Sequence, residues 1–439
     1  MTDPTRRRLL TGCGAGLAAL AGCSGLPAFG DETDDRPDYD REAVERALAP
    51  VEDVLEPDAF PVGIPAALQN RHRERGREYV DAVPAEPGYP NGVIASRVAD
   101  ERAAAASALD EDATGRPRNR LETWRDRREE AAAVMGTHLA ATGGIDRSDV
   151  DALGERGRSR LAAFEADWAY RATDVIDAAV VHATLEDYVQ TCRGQLHTNS
   201  PFPTKPDEAV FQAGDVVGTV DGAIATATDA GRLREQYRSG VDADTGYRQR
   251  LASAASRLDR SLSSTTSDLE EYLDVEPDEA FDADLSDTPA ETVFRDVSRT
   301  VEWRREQVDE AGQRHDPATA VLAAGHGFVA AGALEAVVDA VEDGNYRGYP
   351  TVDDLERHTG RAIDALEAAW DAEPQALAIE IADPALLSLR AAHRRVRESQ
   401  FYGGPERVFV QVLHAEAQAR AVPAATAFVA ERLQASDSN

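Results

Sequence analysis

Lysine is all but missing from this chain of 439 residues: Lys205 stands alone, and every other basic side chain is an arginine or a histidine. Basic residues number 47 against 80 Asp and Glu, giving a formal net charge of −33 at pH 7. Such a surplus repels phosphate backbones, which argues against nucleic acid as a partner. Cysteine is scarce too, at positions 13, 23 and 192 only, so no disulfide framework is available. Cys192 reads as a small core residue. Aromatic residues make up 6% of the chain and hydrophobic ones 42%, so a core has to be built from Ala, Val and Leu rather than from rings. Runs of Val, Ile and Thr at period two are lacking, which excludes much sheet. The chain has no Gly-x-Ser-x-Gly elbow, no phosphate loop following a strand, and no His-x-x-His or Cys-x-x-Cys pair. Neither nucleophilic catalysis nor a cofactor is expected, and the chain reads as non-enzymatic.

What is present begins with an address. Arg6-Arg7-Arg8 precede Leu9-Leu10 and a short apolar stretch that ends in Leu20-Ala21-Gly22-Cys23. The first motif resembles a twin-arginine export signal, and the second resembles the lipobox of exported lipoproteins. The resemblance implies that residues 1–22 leave as a signal peptide and that Cys23 carries a lipid anchor at the extracellular face of the cell membrane. Residues 23–40, with Asp31, Asp34, Asp35 and Asp38, then form a flexible acidic tether. The acidic, nearly lysine-free composition resembles proteins of extremely halophilic archaea. At molar salt the Debye length falls to about 3 Å, so the acidity reads as a means of solvation rather than as a cation site.

The remaining chain shows helical periodicity. Leu161, Phe164 and Trp168 share one flank, and Val175, Ile176, Ala179, Val180 and Ala183 make a second apolar stripe. Comparing the chain with itself is the most informative step. Val150-Asp151-Ala152-Leu153 leading to Trp168 matches Val352-Asp353-Asp354-Leu355 leading to Trp370 at an offset of 202. Pro117 matches Pro317 at 200, and Glu208-Ala209-Val210-Phe211 matches Glu406-Arg407-Val408-Phe409 at 198. The spacing predicts an all-α protein with two tandem helical-bundle units from an internal duplication, at 41–238 and 240–436. Trp168 and Trp370 are the expected core anchors, each burying on the order of 200 Å².

Site candidates are few. His182 and Glu186 lie four apart on one helix face and offer two metal ligands. Gly136-Thr137-His138-Leu139-Ala140-Ala141 resembles the Gly-x-His-x-x-Glu motif of the imelysin family, which is associated with iron uptake, but Ala141 stands where the glutamate belongs. Arginine clusters at 71–77, 125–128 and 394–397 read as ion-pair networks with neighbouring acids. Aromatic tips at Phe202 in one loop, and at Phe401 and Tyr402 in its counterpart, form the candidate partner surface. The expected function is therefore a lipid-anchored binding or scaffolding module. The alternative is a lipoprotein that captures metal or a small solute, using His182, Glu186 or His138 in a cleft between the two units.

Overall fold

Helix caps set the pattern of the chain. Asn91, Asp146, Asp174 and Thr351 each accept backbone N–H bonds at a helix start, and Pro117, Pro289 and Pro317 occupy first-turn positions where a missing N–H costs nothing. The computed structural model describes residues 39–61, 63–197, 201–240, 245–397 and 404–435. Cys23, Arg6, Arg7 and Arg8, together with Phe401 and Tyr402, lie outside the described residues. Among those described, fourteen α-helices run in order: α1 (Arg41–Leu48), α2 (Ala66–Asp81), α3 (Gly92–Asp110), α4 (Pro117–Thr142), α5 (Arg147–Ala166), α6 (Val175–Leu196), α7 (Val210–Gly240), α8 (Arg248–Asp268), α9 (Pro277–Ala280), α10 (Pro289–Arg314), α11 (Pro317–Glu342), α12 (Val352–Trp370), α13 (Gln375–Arg397) and α14 (Gly404–Gln434). The described strands are a two-residue antiparallel ladder, Arg171–Ala172 against Thr245–Gly246.

Twelve of the fourteen helices form two sets of six, with the four-residue α9 lying against α10. Within the first, α4 packs on α2, α3 and α7, and α7 also receives α5 and α6. In the second, α11 packs on α8, α10 and α14, and α14 also receives α12 and α13. The lengths agree as well: α4 and α11 have 26 residues each, and α7 and α14 have 31. One element departs from the expected boundary. Although α1 precedes the first set, it packs on α12 and α13, and its Val44, Ala47 and Leu48 join the core of the second set. The first set thus begins at α2 rather than at residue 41.

A single core cluster spans both sets. Val180, Leu185 and Leu233 from the first share it with Val321, Ile381 and Leu386 from the second, all 8% exposed or less. Trp370 is buried in this cluster and Trp168 packs against it, so the two anchors meet in one core rather than one in each unit. Along α11 the apolar character goes all round, as suits a central core helix. It is also the described helix long and apolar enough to cross a membrane, but 72% of its apolar window is buried inside the protein.

Close approach of α4 and α7 depends on glycine. A Cβ on Gly214 would sit 2.5 Å from the Ala133 carbonyl oxygen, and one on Gly218 would sit 2.8 Å from the Glu129 carbonyl oxygen. Both obstacles are backbone and cannot swing away. Gly214→Ala is therefore expected to lower stability by about 1–3 kcal/mol through overpacking. Because the core is shared, calorimetry of wild type and variant should each show one unfolding transition; two separated transitions would mean that the sets fold independently.

Candidate functional site

The predicted metal pair sits on α6, and the structure places both residues deep inside. Trp168 Nε1 donates to His182 Nδ1 at 3.0 Å, which leaves the ring proton on Nε2, facing the Arg171 carbonyl oxygen at 3.2 Å. Burial lowers the His182 pKa to about 4, so the ring is neutral. The Glu186 carboxyl is fully buried and accepts from the Tyr170 hydroxyl at 2.8 Å, from the Ala318 N–H at 3.1 Å and from the Thr319 N–H at 2.6 Å. Ala318 and Thr319 are the second and third residues of α11, whose first-turn N–H groups lack intrahelical partners. Glu186 is therefore a cap for α11 rather than a metal ligand: its acceptors are filled by two orphan donors and a tyrosine, next to the positive end of the helix dipole. His138 lies on α4, where it accepts from the Tyr89 hydroxyl at 2.5 Å. No group of three or more His, Cys, Asp or Glu side chains suited to a metal occurs among the described residues.

The other predicted contacts resolve in the same direction. Phe202 is not a displayed tip; it is 5% exposed and packs with Val210, Ala213 and Val150, while its carbonyl oxygen accepts from Arg147 at 2.6 Å. Much of the arginine clusters is spent on partners: Arg128 on Asp221, Arg77 on Asp110, Arg397 on Glu52, and Arg73 on the Leu109 carbonyl. Cys192 is buried, donates to the Ala223 carbonyl, and has its thiol pushed up to about 11 by burial. Where a cleft between the units is expected, the junction is filled. Arg116 and Arg118, at the start of α4, reach Asp383 and Glu380 of α13 at 2.8 and 3.2 Å, and Glu56 pairs with both Arg116 and Arg390.

An open site occurs elsewhere, within the second set. A cleft of about 680 Å³ lies between the C-terminal turns of α11, the 343–350 loop, the first turns of α12, and α14. Its floor is a buried pair, His358 Nδ1 to Glu416 Oε2 at 2.6 Å. Phe409 meets the imidazole edge-on at 5.4 Å and Tyr346 at 6.1 Å, which fixes the ring plane. The loop is held at several points. Gly344 takes the left-handed conformation that ends α11, and Asn345 N–H returns to the Ala340 carbonyl at 2.9 Å. Tyr346, at φ +63°, is held by its carbonyl, which accepts from Ala290 N–H, and the Tyr39 hydroxyl donates to the Pro350 carbonyl at 2.6 Å.

Charge sets this cleft apart from the rest of the chain. Arg347, Arg357, Arg361 and Arg420 line it with Asp339, Asp343, Asp354 and Glu416, an even balance in a protein at −33. Asp354 is held down to about 2 by the Thr351 N–H and hydroxyl and by Arg357. Arg420 pairs with Glu416 at 2.5 Å, and Arg347 donates to the Val341 carbonyl. Arg361 is exposed and has no hydrogen bond or ion pair to any described residue. No Ser, Thr, Cys or Lys lines the cleft.

The repeat explains why only the second set opens here. At the offset of 198 that aligns Glu208–Phe211 with Glu406–Phe409, the glycines 214, 218 and 222 of α7 correspond to Val412, Glu416 and Arg420 of α14. The glycines let α7 press onto α4, whereas at the corresponding α14 positions Glu416 turns to His358 of α12 and Arg420 lines the cleft. Sequence reading passed over His358 and Glu416, which are 58 residues apart; the available signal was the departure from glycine within the repeat.

Burial pushes the Glu186 carboxyl up to about 7 from 4.5, against the hydrogen bonds from Thr319, Ala318 and Tyr170 that lower it. A raised pKa means that the folded state holds the proton more tightly than the unfolded chain. The resulting stabilisation is complete below about pH 4.5 and is lost as pH rises through 7. Denaturation of wild type and of Glu186→Gln should therefore diverge across that window, with wild type losing up to about 3 kcal/mol relative to the amide variant. A pH-independent difference would contradict this.

Comparison with family models places both halves. Residues 67–244 match a domain of unknown function, DUF8262, and residues 248–431 match a second domain of unknown function, DUF8264. Comparisons with curated proteins and with solved structures give no match. The chain is thus similar, in tandem, to two different domain families, and the join between the matches falls between α7 and α8.

Proposed function

We propose that this protein is a non-enzymatic binding module whose site is the α11–α12–α14 cleft, and that it takes a small anionic solute bearing a carboxylate or phosphate. The observation that carries this reading is the unpartnered Arg361 in a cleft where four arginines offset four carboxylates. In molar salt charges are screened beyond about 3 Å, so an anion lodges only where guanidinium donors contact it directly, as the four arginines of this cleft allow. A guanidinium with free donors matches a carboxylate or phosphate in bidentate fashion. The lining supplies no Ser, Thr, Cys or Lys nucleophile, which supports binding rather than covalent turnover.

The same proposal places the protein outside the cell. Arg6-Arg7-Arg8 and the Leu20–Cys23 motif support export and a lipid anchor at Cys23, with the acidic segment to residue 40 as a leash. The shortage of lysine and the excess of carboxylates support a salt-rich setting. Mass spectrometry of the native N-terminus should find a lipid-modified Cys23 as the first residue; an intact Met1 would overturn the anchor.

Calorimetric titration of the purified protein with succinate and with inorganic phosphate, in molar salt, tests the cleft. Saturable binding is expected for at least one, weakened roughly tenfold or more by Arg361→Glu, which replaces attraction with repulsion. Equal binding by wild type and the variant would remove the cleft as the site.

A further inference from the structure

The cleft does not end at its arginines. A second hollow of about 380 Å³ runs on from it, lined by Phe328, Ala331, Gly332, Ala417, Ala421 and Phe428 among others. Ala336 and Arg420 line both hollows, so the two adjoin at those residues. Along α11 the shared wall extends from Phe328 to Asp343, which is about 22 Å of helix at 1.5 Å per residue. At its far end Phe328 and Phe428 meet edge to face at 4.8 Å. Small side chains keep the groove open, and Glu335, Thr265 and Arg420 supply its polar edge. Two adjoining hollows thus meet at Ala336 and Arg420, one lined with guanidiniums and the other with alanine, glycine and phenylalanine.

We infer that the ligand is an amphiphile with a single anionic head, seated among Arg361, Arg357 and Arg420, and one hydrocarbon tail laid along the groove between α11 and α14. The inference rests on the anion-binding reading of the cleft and deepens it. A purely polar solute would leave the apolar half unused, whereas a neutral hydrocarbon would gain nothing from Arg361. Charge complementarity at the head selects the ligand's sign, and apolar contact along Ala331, Gly332, Ala421 and Phe428 adds affinity in proportion to buried tail area.

The test compares acetate with octanoate as probes on the full chain in molar salt. Octanoate is expected to bind roughly tenfold or more tighter than acetate, given the extra methylenes placed against apolar surface. Ala424→Trp, which fills the exposed edge of the groove, should collapse that ratio. Ala421→Phe serves as a second variant at a different point along it. Arg361→Glu should weaken octanoate binding in both the wild-type and the filled background. Binding of acetate and octanoate with equal affinity would overturn the amphiphile while leaving the anion site standing. Binding of neither would overturn the amphiphile, and the anion site falls with it only if succinate and phosphate also fail to bind. Binding to phosphatidylglycerol vesicles without binding of octanoate would overturn a free single-tailed ligand in favour of a membrane contact.

Discussion

A carboxylate buried against the first turn of a helix ties the two halves together. Glu186, on α6 of the first set, closes the N-terminus of α11, the most apolar helix of the second. The reverse contact uses different chemistry at a corresponding place: the start of α4 presents Arg116 and Arg118 to Glu380 and Asp383 on α13. In each case the third helix-start of one half meets the fifth long helix of the other. Burying charge at the α4–α13 junction is tolerable because Arg116 and Arg118 meet Glu56, Glu380 and Asp383, and removing one member would leave another stranded in low dielectric, whereas Glu186 is satisfied by neutral donors. The core that holds Val180, Leu185, Val321 and Ile381 is shared by both halves, and the described residues form one body.

Divergence between the halves creates the open site. Glycine on α7 and the small residues of α4 make a tight crossing in the first half, whereas the corresponding α14 positions carry Val412, Glu416 and Arg420, of which the last two line the cleft. Glu416 also holds His358, and Arg420 offsets Glu416. A duplicated scaffold of this kind can keep one copy as a packing element while the other acquires a cavity. The match of the two halves to different family models is consistent with that asymmetry.

Much of the architecture was legible before any coordinates. The offsets near 200 pointed to the pairing of α4 with α11 and of α7 with α14, because core positions and helix starts repeat when a unit is copied. Expectations failed where an argument leaned on spacing along one helix. His182 and Glu186 do share a face, but what meets that face is Trp168, Tyr170 and the start of α11, which lies more than 130 residues away in sequence. The recurrence of aromatics in corresponding loops points to Phe202 as a surface tip, yet Arg147 holds the backbone and the ring is buried.

Sequence by itself determined the all-α class, the tandem layout, the acidic character and the shortage of catalytic motifs. These follow from periodicity, composition and self-similarity, which are local or additive properties of the chain. Only the tertiary structure decided that α1 belongs with the second half, that the two tryptophans share one core, and that a neutral cleft lies between α11, α12 and α14. Those outcomes depend on which distant side chains come within a few ångströms of one another. His358 and Glu416 become a pair, and Arg361 is left without an ion-pair partner among the described residues, only once four segments have been brought to the same place.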